Sequence, residues 1–179
     1  MISTSTRMPQ VLKPQRSISV PVAIALSTII IVLVTLGKPF VDIPGVVDGS
    51  AHVIRSIDTQ LFDGFDRPNY WYAPWTNSLG NIALFMPLAA GIYARTKTFI
   101  AAVGISFFGS VGIEITQYIF ALGYADIDDV FFNTLGGVLG AGALTLIPHS
   151  EHRGLMRLLV ILLAMLLGAM TVLGLRYHV

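Results

Sequence analysis

The chain contains no cysteine. That excludes disulfides, thiolate nucleophiles, cysteine metal ligands and palmitoylation, and it leaves the redox compartment open. Charge is also scarce: 12% of the 179 residues are Asp, Glu, Lys or Arg, against about 25% in an ordinary soluble domain. So few charges cannot cover a water-soluble surface. With 54% hydrophobic residues and a mean hydropathy of +0.74, the composition is that of an integral membrane protein. A net charge of +1 gives no footing for nucleic-acid binding. Phosphate-binding loops, nucleophile elbows and dinucleotide fingerprints are missing too.

What the chain does have is apolar runs, at residues 18–36, 79–94, 99–122, 130–147 and 158–175. Each is near the ~20 residues that cross a ~30 Å hydrocarbon core. The first is longer than a signal-peptide core and no small-residue cleavage site follows it, so it reads as an uncleaved span. The fold class expected is all-α, a polytopic membrane bundle of about five transmembrane helices. Residues 1–17 are expected to form a disordered cytoplasmic tail, and 18–36 the first span. Residues 38–77 form an outer loop, 78–147 a core of three spans, and 148–179 a cytoplasmic loop with a fifth span.

In the outer loop Val53, Ile54, Ile57, Leu61, Phe62 and Phe65 recur at spacings of three and four, with Ser50 ahead of them. That spacing predicts an interfacial amphipathic helix. Tyr70, Trp71, Tyr72 and Trp75 follow as an aromatic belt. Lys and Arg set the orientation. Arg7, Lys13, Arg16, Arg95, Lys97, Arg153 and Arg157 fall on one side, with only Lys38, Arg55, Arg67 and Arg176 opposite. The positive-inside rule places the N-terminus in the cytoplasm and the C-terminus outside.

The stretch 112–140 carries the chemistry. Glu114 and Gln117 lie inside one apolar run, Asp126, Asp128 and Asp129 follow, and Asn133 lies inside the next run. An ionised carboxylate at mid-bilayer costs roughly 2.5–3.5 kcal/mol on insertion scales, so Glu114 needs compensation. The expected topology puts these residues and Asn81 in the outer leaflet. Ser106, Ser110, Glu114 and Gln117 share one helix face, as do Asp129, Asn133, Gly136 and Gly140. Gly136 and Gly140 form a GxxxG pair. The simplest packing sets these two faces together, with Asn133 hydrogen-bonding Glu114. Asn81, Glu114, Gln117, Asp126, Asp128, Asp129 and Asn133 are thus the candidate polar pocket.

Plainer readings stand beside this one. Glu114 with Gln117 also serves as a structural interhelical hydrogen bond, the amides as packing glue, and Asp129 as a helix cap. Clustered carboxylates suit hard cations, but the run from Asp126 to Asn133 lacks an EF-hand's glycine and distal glutamate, so no metal or other cofactor is expected. His149 and His152 read as a solvated turn.

Three pieces, Gly80-Asn81-Ile82-Ala83-Leu84-Phe85-Met86-Pro87-Leu88, Glu114-Ile115-Thr116-Gln117, and Ala125-Asp126-Ile127-Asp128-Asp129 through Asn133-Thr134-Leu135-Gly136-Gly137, resemble the VanZ-like family of bacterial membrane proteins. The resemblance covers about residues 77–147. The family often carries an arginine where this chain has Gly123, so the resemblance leaves Glu114 either protonated or paired with Arg55 or Arg67 of the outer loop. The resemblance implies a cell-envelope protein of the cytoplasmic membrane linked to teicoplanin sensitivity, with no established reaction. The function expected is binding of a polar envelope ligand, such as a lipid-linked precursor or a peptidoglycan-related group. The alternative is a membrane enzyme using its carboxylates on a lipid-linked substrate, although no nucleophile or histidine lies near the site. A proton or solute conduit ranks last, because below Ser106 the third span offers only Thr98 and Lys97 as polar groups.

Overall fold

The computed structural model describes residues 18–40, 53, 55–66 and 70–177. It is an all-α fold of five long helices: α1 Ser19–Leu36, α2 Ala73–Thr96, α3 Phe99–Phe120, α4 Ile127–Thr145 and α5 His152–Tyr177. Two short strands, β1 Arg55–Asp58 and β2 Gly123–Asp126, pair in parallel at one end of the bundle. Short 3-10 turns at Lys38–Phe40 and Asp63–Phe65 complete the described elements.

By length and composition α1, α3 and residues 152–174 of α5 are apolar enough to cross a membrane, and α2 and α4 are not. The reason lies in the packing. Helix α2 touches all four other helices and packs most extensively on α4, so these two are the helices most surrounded by protein. Small and polar residues are tolerated there because close backbone approach replaces contact with acyl chains. A Cβ at Gly136 would overlap the carbonyl oxygen of Ile82, and one at Gly140 that of Met86. The GxxxG face therefore seats on α2, not on the Glu114 face of α3. The neighbouring Gly137 meets α3, at Ser106.

The core closes around that contact. Phe85, Ala89, Ile92 and Tyr93 of α2 pack with Ala23 and Ile31 of α1, Ala102 of α3, Ala141 and Leu144 of α4, and Met156 of α5. Buried hydroxyls are satisfied within their own helices, where Ser27, Thr35 and Ser106 each donate to the carbonyl four residues earlier. Pro87 lies inside α2, yet the helix continues to Thr96.

Two further expectations are corrected. The outer loop is not an amphipathic helix over its described residues: Arg55–Asp58 is a strand, in register from Arg55 opposite Gly123 to Asp58 opposite Asp126. Backbone partners on Gly123–Asp126 outweigh the three-and-four spacing, and Ile57 stays 58% exposed. Ser50 and Ile54 lie outside the described residues. Phe62 and Phe65 do bury apolar surface, but as an edge-to-face cluster with Phe131 and Trp75.

His152 is not a solvated turn either. It opens α5 at 3% exposure, with Nε2 3.1 Å and 3.0 Å from the carbonyl oxygens of Leu144 and Ile147. The last carbonyls of a helix lack intrahelical donors, and this ring supplies one. Its Nδ1 lies 3.0 Å from Lys97 Nζ. An ammonium only donates, so Nδ1 accepts and Nε2 carries the proton.

Candidate functional site

Successive helices run in opposite directions, so the end of α1, the start of α2, the end of α3 and the start of α4 meet at one end of the bundle. Each end arrives by a local device. Gly37 ends α1 by donating its N–H to Leu33 O, which brings Lys38 to the rim. The start of α2 carries Asn77 and Asn81 one turn apart. Helix α3 stops at Ala121 in a left-handed conformation, φ 54°. The chain then turns through Gly123 at φ +142°, a region L side chains rarely adopt. A Cβ there would also crowd Gln117 Nε2 at 3.3 Å. Gly123 is the residue this turn needs. Asp126 then caps α4, its side chain accepting from Asp128 N at 2.8 Å.

Between these ends lies a cavity of about 200 Å³, lined by Lys38, Asn77, Gln117, Gly123, Tyr124, Asp126 and Asp129. One oxygen of Asp129 accepts from Asn81 at 2.5 Å and from Asn77 at 3.0 Å. Gln117 donates to Thr35 O at 3.2 Å, and its buried oxygen has no hydrogen-bond partner among the described residues. Glu114, 8% exposed, accepts from Asp126 N at 2.9 Å and so ties α3 to the end of β2.

Asp126 lies outside the apolar segments. Burial pushes its carboxyl up to about 6, the N–H of Asp128 pulls the other way, and the charges of Asp129, Asp128 and Asp58 push it further up.

The seven sequence-derived candidates therefore divide. Gln117, Asp126 and Asp129 line the cavity. Asn81 and Glu114 stand behind it, holding Asp129 and the backbone of Asp126. Asp128 faces the outer loop and accepts from Phe62 N at 2.8 Å. Asn133 does not reach Glu114: it sits deeper, 1% exposed, and donates to Ser110 Oγ at 2.8 Å. With the glycine face of α4 turned to α2, Asn133 lies level with Ser110, one turn below Glu114.

Lys38, Asn77 and Tyr124 were missed. Asn77 had a signal, since it lies four residues before Asn81 on the same helix face. Lys38 follows the first apolar run directly and so marks a membrane boundary. Tyr124 had no signal, because only the pairing of β1 with β2 positions it. Arg55 does not serve Glu114. Its guanidinium donates to the carbonyls of Tyr118 and Ile119 at 3.1 Å and 2.9 Å, capping α3, and lies 5.9 Å from the Tyr118 ring centroid. Arg67 lies outside the described residues.

An ammonium, two carboxylates, amides and a phenol around one small cavity can hold a group that both donates and accepts hydrogen bonds. The family model described as VanZ/LLP1 matches residues 23–148, which takes in every residue that lines this cavity. No curated protein and no solved structure matches the chain. The match spans well over half of the sequence and ends just past the last helix of the site, so the chain belongs to the VanZ/LLP1 family.

Proposed function

We propose that the protein is a multi-pass protein of the bacterial cytoplasmic membrane whose cavity faces outward and binds the polar part of a cell-envelope ligand. The ligand class is a lipid-linked precursor or a peptidoglycan-related group, and binding alters sensitivity to teicoplanin-type glycopeptides. One observation carries the reading. Three helix ends and a strand deliver Lys38, Gln117, Asp126 and Asp129 to one cavity, at the bundle end poorer in Lys and Arg. Burying such groups is costly unless they are paired, and a ligand with donors and acceptors supplies the missing pairing. The outward orientation rests on the positive-inside rule.

The test is teicoplanin susceptibility of a strain lacking the gene, complemented with wild type, Asp129→Asn or Lys38→Met. Deletion shifts the inhibitory concentration severalfold. Wild type reverses the shift, and both variants fail to reverse it while reaching the membrane at normal levels. An unchanged inhibitory concentration on deletion contradicts the reading.

A second reading has its own support in Asp126, whose carboxyl titrates at about 6 and so suits acid–base work near neutral pH. It makes the protein an enzyme acting on the same lipid-linked substrate. Turnover of radiolabelled envelope precursors by purified protein, abolished by Asp126→Asn, favours it. Failure to turn over any of them leaves binding as the activity.

A further inference from the structure

The opposite end of the bundle holds a second cavity, also about 200 Å³, lined by Arg95, Lys97, Arg153, His149, His152, Val20 and Ala94. It owes nothing to the polar site at the other end. The side chains of Arg95, Lys97, His149 and Arg153 are exposed, and His152 is fixed beneath them by the carbonyls of α4. Among the described residues, none of these cations is paired with a carboxylate. Glu151 is exposed next to the loop but does not line the cavity. The His149 and His152 rings stack at 4.9 Å, which fixes one wall, while Val20 and Ala94 make an apolar floor.

Two guanidiniums and an ammonium around a small cavity match the oxygens of a phosphate, since planar guanidinium forks bind such groups bidentately. The surroundings decide which phosphate. The cavity lies where α1 and α5 begin and α2 ends, the level at which an apolar bundle meets the headgroups. At the same end of the bundle, Ile100 at the start of α3 is 80% exposed and Leu146 just past the end of α4 is 86% exposed, apolar surface of the kind that acyl chains cover. We propose that this cavity binds the phosphate of an anionic phospholipid from the leaflet at that end of the bundle. Basic pockets between helices on the cytoplasmic side suit such headgroups. Occupation would clamp the α2 end to the α5 start across His152, without touching the polar cavity.

The test is native mass spectrometry of the full chain in detergent, titrated with phosphatidylglycerol, phosphatidylcholine or inorganic phosphate. One phosphatidylglycerol is retained about tenfold more tightly than phosphatidylcholine, and millimolar phosphate does not displace it. Arg95→Gln/Arg153→Gln removes that preference. Arg157→Gln, which changes charge on α5 outside the cavity, keeps it within about twofold. The arginines changed are exposed, so thermal unfolding stays near wild type; if the double variant unfolds, the single variants read the same comparison. Equal retention of the two lipids, equal loss in Arg157→Gln, or displacement by free phosphate overturns the proposal. The last result assigns the cavity to a phosphate ion.

Discussion

Asp129 shows how the polar site is held at the scale of single residues. Its two amide donors come from one face of α2, so its carboxylate is oriented by the packing of α2 on α4. Asn81→Ala removes the closer donor, and leaving a buried acceptor short costs about 1–3 kcal/mol. Thermal unfolding in detergent should show that loss, while Asn77→Ala, at the exposed rim, should cost less. Asp126 gives a pH signature. Its carboxyl lies at about 6 in the fold against an ordinary value of 3.8, so the folded state binds the proton more tightly. Stability therefore falls as pH rises from about 4 to about 6 and levels off above that. Asp126→Asn retains a good helix cap and should flatten that slope in melting midpoints taken across the window. Much of this layer was legible in the sequence. Amides stand out inside apolar runs because each is costly there, which singled out Asn81 and Gln117, and the polar stretch between two such runs singled out Asp126 and Asp129. Which amide meets which carboxylate was not legible, because it depends on how far each helix is rotated about its axis.

That rotation is set at the scale of elements. Helix faces follow from spacing, but the partner of a face does not. Gly136 and Gly140 could have met α3 and instead meet the carbonyls of Ile82 and Met86 on α2, which carries Asn133 to Ser110. The strand at Arg55–Asp58 was hidden for a related reason: its partner lies 68 residues away by register, and no local pattern reports it. Gly136→Ala and Gly140→Ala should each destabilise the protein by about 1–3 kcal/mol, because backbone carbonyls cannot yield as flexible side chains do. Gly112→Ala is the control. A Cβ there meets nothing within 4 Å, and replacing a mid-helix glycine gains about 0.5–1 kcal/mol. Equal effects at the three positions would remove the α2–α4 contact from its place at the centre of the fold.

At the scale of the whole molecule, the two ends of the bundle differ in charge. One end collects Asp126, Asp129 and Glu114 around Lys38, and the other collects Arg95, Lys97, Arg153 and the paired histidines. This polarity underlies the proposed orientation, and the lack of cysteine makes that orientation easy to check. In intact cells Gln60→Cys should react with a membrane-impermeant maleimide, whereas Glu151→Cys should react only after permeabilisation. The reverse pattern would turn the cavity to the cytoplasm and end its assignment to an envelope ligand.

The central claim is that the cavity between α1, α2, α3, α4 and β2 holds an envelope ligand, and Tyr124 offers the most direct access to it because its ring is both exposed and part of the lining. The measurement is photo-crosslinking in living cells with p-benzoylphenylalanine at position 124, and at position 108 on the outer face of α3 as the control. The account predicts an adduct at 124 carrying the sugar or peptide of an envelope precursor, lost with Asp129→Asn and never formed at 108. Only the bulk phospholipid adducts seen at 108, unchanged by Asp129→Asn, would contradict it.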